Sequence, residues 1–209
     1  MAYFPFFVEL SEQAGLVIGG GAVARGKIRR LLPYGPRLTV VAPEIDPALR
    51  QIPGLRLLER PFRPEDLEGV EFVLAAAGDR EVNRQAAELC HERRIPVNVM
   101  DDQSLCTFII PTLVKKGSLS VGISTGGSSP TAAIYLKKKF QELVPDRFDE
   151  MLDYLCRQRE AVKASIPGEA RRKKLQQALF AACMERQRPL TEEETRQLYE
   201  AEERENSHA

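Results

Sequence analysis

The chain carries no excess charge: 30 lysines and arginines balance 30 aspartates and glutamates over 209 residues. That balance removes the general electrostatic argument for a nucleic-acid or membrane-surface partner. Cysteines are few and scattered, at Cys90, Cys106, Cys156 and Cys183, with no C-x-x-C pair. Such spacing suggests neither a zinc site nor a redox couple, and the four read as reduced thiols. No apolar run reaches membrane-spanning length. The first ten residues include Glu9 but no basic start or cleavage site, so a secretory signal is not expected. His91 has no second histidine near it and reads as a surface or packing residue, not a metal ligand. No repeat or helix-turn-helix pattern stands out. The expectation is a cytoplasmic protein with no metal, no nucleic acid and no membrane among its partners.

What is present is a glycine-centred turn, Leu16-Val17-Ile18-Gly19-Gly20-Gly21-Ala22-Val23-Ala24. A short apolar run ends at three glycines, and a helical pattern begins at once. Gly19, Gly21 and Ala24 fill the slots of the dinucleotide fingerprint G-x-G-x-x-G/A. Gly19 suits the tight turn, Gly21 lets the backbone approach a pyrophosphate, and Ala24 lets helix lie on strand. The helix start supplies free N–H groups and a positive dipole end. Further strands are expected at 37–42, 55–59, 72–77 and 96–100, with helices at 22–32 and from Asp79 to about Arg94. Strands alternating with helices imply an α/β, Rossmann-like parallel sheet. The apolar 3–8 segment should pack on that sheet.

At Cys106 the rhythm changes. Residues 107–114 and 119–123 read as two strands about a turn. The small-residue loop Ser124-Thr125-Gly126-Gly127-Ser128-Ser129-Pro130 then leads into a helix with Ser129 as cap. Little but helix follows, with Phe148, Met151, Leu152 and Leu155, then Leu175, Ala178, Leu179 and Ala182, at three-to-four spacing. The tail from Glu202 should fray.

Ligands of open parallel sheets sit beyond the carboxyl ends of the strands. There Glu44, 25 residues after Gly19, is either a ribose ligand or a solvated loop carboxylate. Of the adjacent Asp101 and Asp102, one at most faces the crevice, as a proton acceptor or as a strand-exit cap. The 124–130 loop has the parts of an anion site and equally those of an ordinary capped helix start.

Four stretches, taken in order, resemble the precorrin-2 dehydrogenase/sirohydrochlorin ferrochelatase family, the N-terminal module of siroheme synthases. They are Phe4-Pro5-Phe6, the 17–24 glycine stretch with Lys27, Asn98-Val99-Met100-Asp101, and Phe108-Ile109-Ile110-Pro111 running on to Pro130. The resemblance implies NAD-dependent oxidation of the tetrapyrrole precorrin-2 to sirohydrochlorin, with or without ferrochelation. It makes Asp101 the general base and puts Gly19, Gly21, Ala22, Val23, Pro43 and Glu44 at NAD. Ser124, Thr125, Gly126, Gly127 and Ser128 would meet substrate carboxylates. It also implies a homodimer: a nucleotide domain at 1–112, a small α+β dimerisation segment at 113–145 and a helical domain at 146–209. Ala77-Gly78 stands where the family carries a more polar pair. Uroporphyrinogen methylation is expected to belong to another protein. Two other readings compete: an NAD(H)-sensing regulatory module whose helical tail binds a partner or DNA, and an unrelated small-molecule dehydrogenase that shares only the nucleotide half.

Overall fold

A strand buried on both faces needs apolar residues at every position, not at alternate ones. In the computed structural model, which describes residues 3–206, the segments Ala14–Ile18 and Phe72–Ala75 are of this kind. They lie inside a five-stranded parallel sheet whose edge strand Arg56–Glu59 is only half-buried. The chain runs through β1 (Ala14–Ile18), α1 (Ala22–Leu31), β2 (Arg37–Ala42), a single turn α2 (Pro47–Arg50) and β3 (Arg56–Glu59). It returns through β4 (Phe72–Ala75), α3 (Arg80–Arg93) and β5 (Val97–Val99). The strand order is β3-β2-β1-β4-β5. The direction of winding therefore reverses between β1 and β4, which opens a crevice at their carboxyl ends.

Alternate residues of each strand feed two cores. Val17, Val40 and Leu74 pack with Ala24, Ile28 and Leu31 of α1 on one face. Leu16, Ile18, Val41 and Val73 pack with Ala86, Ala87 and Cys90 of α3 on the other. Asp79 caps α3 by accepting the Glu81 N–H at 2.8 Å, and Arg94 ends it in the left-handed region. His91 sits on the outer face, its Nε2 3.0 Å from the Leu105 carbonyl.

Residues 4–110 form one compact unit and the chain from Pro111 onward forms another. The second opens with the antiparallel pair β6 (Thr112–Lys116) and β7 (Leu119–Ile123), followed by α3's successors α4 (Pro130–Leu143), α5 (Phe148–Ser165), α6 (Glu169–Arg186) and α7 (Glu192–Asn206). Met151, Tyr154, Val162, Leu175, Leu179 and Cys183 make its core. No described helix is long and apolar enough to cross a membrane.

Three expectations are corrected. The Phe4–Val8 segment does not pack on the sheet: Phe4, Phe6 and Phe7 are each more than two-thirds exposed. Residues 107–111 are not a strand. Thr107 instead ties to the start of β5, its N–H donating to the Val97 carbonyl at 2.9 Å and its hydroxyl accepting the Val97 N–H at 2.8 Å. The tail does not fray at Glu202, because Arg171 donates twice to that buried carboxylate, both at 2.8 Å. Residues 207–209 lie outside the described part.

The α6–α7 junction is fastened by Glu194, which accepts two hydrogen bonds from Arg188 at 2.8 and 2.9 Å and one from the Thr191 N–H at 2.8 Å. Those bonds, the Arg188 ones first, hold its carboxyl well below the usual carboxylate range. The ionised form is the one the fold favours. Its stabilisation is therefore present above the free-carboxylate value of about 4.3 and is lost as pH falls below it. Thermal unfolding of the full chain, followed by circular dichroism, should come at a lower temperature at about pH 3 than at about pH 6. Glu194→Gln should lower the melting temperature at the higher pH and narrow the difference between the two. An unchanged difference in the variant would exclude Glu194 as its source.

Candidate functional site

The three consecutive glycines have three different reasons to be glycine. Gly19 has φ +117°, and a Cβ there would lie 2.2 Å from the Ala76 carbonyl oxygen. A Cβ on Gly20 would lie 2.4 Å from the Glu44 carbonyl oxygen. Gly21 has nothing within 4 Å of the corresponding point. The first two are thus required by the protein's own backbone, and the third leaves open space at the start of α1. The Gly19 N–H donates to the Val41 carbonyl at 2.9 Å and the Ala76 N–H to the Ile18 carbonyl at 2.7 Å. The turn is in this way threaded between β2 and β4 at the switch point. Ala24, wholly buried, lets α1 lie against the sheet.

Gly21 precedes α1 with no side-chain cap, and the first turn of the helix carries no acidic residue. Its leading N–H groups face the crevice with a positive dipole end unanswered by the protein. Ala22 and Val23 are exposed beside it. Open space at Gly21 together with an uncapped helix start fits the pyrophosphate of a dinucleotide.

Beyond β2, Pro43 and Glu44 are exposed. The loop is stitched to the glycine turn, since the Asp46 N–H donates to the Gly20 carbonyl at 2.9 Å. Beyond β4, the backbone of Ala77 is satisfied at both ends by one side chain. Asn83, 5% exposed, accepts the Ala77 N–H and donates to the Ala77 carbonyl, each at 2.9 Å. The sequence does not reveal this role, although a polar residue on the inner face of a helix is the trace it leaves. At Ala77-Gly78 the missing polar side chains are thus replaced, for loop shape, by an amide from α3.

At the exit of β5, Asn98 is buried and fully used. Its Oδ1 accepts from Lys27 Nζ at 2.6 Å and its Nδ2 donates to the Phe108 carbonyl at 3.0 Å. The Cys106 thiol accepts the Val99 N–H at 3.1 Å. Burial pushes the Lys27 ammonium below its ordinary value, with Cys106 and Asp101 acting in the opposite direction and Arg30 in the same one. Lys27 thus ties α1 to β5, a contact the fingerprint alone does not announce.

Asp101 and Asp102 are separated by their surroundings. Asp102 caps the short turn 103–105, its Oδ1 accepting the Ser104 N–H at 3.0 Å and the Ser104 hydroxyl at 2.5 Å. Asp101 is exposed and has φ +60°, a left-handed conformation in which a non-glycine residue is strained. It borders a cleft of about 180 Å³ lined also by Arg80, Asn83, Val99, Met100 and Asp102 itself, so the cap and the backbone, not the cleft, tell the two aspartates apart. A larger groove, about 640 Å³, lies where the strands begin, against Ala14, Arg37 and Arg56, and holds none of the expected site residues.

The remaining site candidates belong to the second unit. The Thr125 hydroxyl accepts the Ser129 N–H and donates to the Ser129 carbonyl, both at 3.1 Å. Ser124 Oγ accepts the Gly126 N–H at 3.2 Å, and Ser129 Oγ caps α4 at the Ala132 N–H, 3.1 Å. Gly126 and Gly127 take positive φ, +61° and +88°. Ser128 is exposed. Thr125 and Ser124 therefore shape the loop, while the Gly126, Gly127 and Ser128 stretch faces outward.

With this geometry in place, comparison with known proteins is informative. A family model described as putative NAD(P)-binding matches residues 6–112. The chain is 37% identical over 183 residues to a siroheme synthase of Thioalkalivibrio sulfidiphilus, covering 86% of this chain and 37% of that protein. It is 38% identical over 176 residues to a siroheme synthase of Methylobacillus flagellatus, covering 82% and 38% respectively. It therefore spans less than two-fifths of the length of these relatives. Among solved structures, SirC, precorrin-2 dehydrogenase, superposes with a TM-score of 0.73 at 23% identity, over 97% of this chain and 100% of that one, a likeness of fold. With the family match reaching from the first strand past the exit of β5, the chain belongs to the putative NAD(P)-binding family.

Proposed function

We propose that this chain is an NAD-dependent dehydrogenase that oxidises precorrin-2 to sirohydrochlorin. One observation carries the reading. An open, uncapped helix start at Gly21 and a carboxylate held in strained backbone at Asp101 share the carboxyl edge of one parallel sheet. The named activity of the SirC structure and of the siroheme synthases supports it.

In this reading Gly19, Gly21, Ala22 and Val23 bed the pyrophosphate, and Pro43 and Glu44 border the adenosine ribose. Held there, NAD would supply the hydride acceptor. The oxidation removes two electrons and two hydrogens from the tetrapyrrole, one leaving as hydride and the other as a proton. Asp101 takes that proton as general base, and its carboxylate passes it to water. Asp102 is committed to its cap and keeps the Asp101 backbone in place. The Gly127 N–H and the Ser128 hydroxyl, in the loop that Ser124, Thr125 and Gly126 shape, meet substrate carboxylates. We assign residues 113–145 to a homodimer contact, residues 146–209 to a helical domain, and the protein to the cytoplasm.

Incubation with precorrin-2 and NAD, followed at 340 nm for NADH and in the visible for sirohydrochlorin, tests the reading. Nucleotide binding without turnover would instead identify a sensor. Addition of ferrous or cobaltous ion to the product shows whether chelation accompanies it.

Asp101→Asn should lower kcat about a hundredfold or more while leaving NADH affinity unchanged. Full activity in this variant would remove Asp101 as the base. Gly19→Ala and Gly21→Ala should part company. The first, at positive φ and against the Ala76 carbonyl, should cost about 1–3 kcal/mol of stability. The second should leave the melting temperature near wild type but weaken NADH binding about tenfold or more, since its methyl enters the space of the pyrophosphate. Equal NADH affinity in Gly21→Ala and wild type would place the nucleotide elsewhere.

A further inference from the structure

The first turn of α1 contains a cation that the dinucleotide reading leaves without a task. Arg25 lies on the side of α1 facing the β2 loop, and its Nη1 is 2.7 Å from Asp46 Oδ2. Both side chains are about a quarter to a third exposed, 32% for Arg25 and 22% for Asp46. Asp46 is anchored three ways. Its second oxygen accepts the Ala48 N–H at 2.8 Å, and its own N–H donates to the Gly20 carbonyl at 2.9 Å. The pair thus joins the phosphate turn to the loop after β2, the place where this fold meets the 2′ position of the adenosine ribose. An acidic group there suits the free hydroxyls of NAD, and an available arginine there suits the 2′-phosphate of NADP.

We propose that the Arg25–Asp46 ion pair selects the cofactor, by keeping the Arg25 guanidinium neutralised beside the β2 loop and so denying NADP a phosphate partner. This rests on the reading of the Gly19–Gly21 turn as the dinucleotide site. With the pair closed, the edge offers an incoming ligand a neutral couple and the exposed carboxylate of Glu44. A ribose with free hydroxyls meets no penalty there. A 2′-phosphate must either break the pair or sit beside Glu44 without a compensating cation, and discrimination by leaving a charge unpaired is a common route to specificity. The selection is thus built from a repulsive element and a withheld attractive one. Glu44 alone supplies only the first.

The discriminating substitution is Asp46→Asn. The asparagine oxygen still accepts the Ala48 N–H, so the loop keeps its shape while Arg25 loses its counter-charge. Dissociation constants for NADH and NADPH are measured by fluorescence on the full chain. Wild type should prefer NADH at least tenfold. Asp46→Asn should shift the ratio at least tenfold toward NADPH, mostly through tighter NADPH binding. Asp46→Ser, which also retains a capping oxygen, should behave alike and serves if the first variant folds poorly. Arg25→Met/Asp46→Asn should lose the gain. An unchanged ratio in a folded Asp46→Asn that still binds NADH overturns the proposal, as does a gain that survives removal of Arg25. Equal wild-type affinity for the two nucleotides overturns it as well. If wild type binds neither, the dinucleotide reading itself fails, a different result from intact NADH binding with an unmoved preference.

Discussion

The constraint on which this molecule turns is the passage of the backbone out of β1. It must leave between two neighbours, hydrogen-bonded to β2 at the Val41 carbonyl and crowded by the Ala76 carbonyl beyond β4. Only a residue without a Cβ fits at Gly19, and only a second one fits at Gly20 against the Glu44 carbonyl. The chain then enters α1 at Gly21 with its leading N–H groups bare. Winding order, crevice and bare helix start therefore meet at one crowded exit, since β2 and β4 could not flank β1 so closely around a larger residue.

Much of this is written locally. The two-faced burial of β1 and β4 follows from uninterrupted apolar runs, and the caps at Asp79 and Ser129 follow from side chains that can accept an N–H two or three residues on. These are short-range rules and they transfer directly from sequence to structure. The glycine triplet shows that two of its members have separate duties, but only the folded chain shows that the middle one is required by the β2 loop.

What stayed hidden depends on pairs far apart in the chain. Lys27 and Asn98 are 71 residues apart, and neither type by itself predicts the other. Asn83 reads as an interruption of an apolar helix face until Ala77 is seen to need both its donor and its acceptor. Asp101 and Asp102 are chemically the same in the sequence. Ser104 separates them by occupying one, and the left-handed backbone marks the other. The exposed Phe4–Val8 segment and the ordered Glu202 are misread for a related reason. Hydrophobicity says that a segment would gain from burial, not that a surface is offered to it. Charge near a terminus says nothing of an arginine waiting 31 residues upstream.

The bond from Lys27 to Asn98 has a mechanical meaning. It reaches from α1 to β5, the strand at one edge of the sheet. The spacing between helix and strand is thereby held by a side-chain brace, separate from the loops that form the rim. Rim loops can differ in length or composition without altering the gauge, whereas loss of the brace would let helix and strand drift even with every rim residue intact. A half-buried ammonium in such a place is a structural tie that also feels the charges of Cys106 and Asp101, so alignment and electrostatics meet in a single side chain.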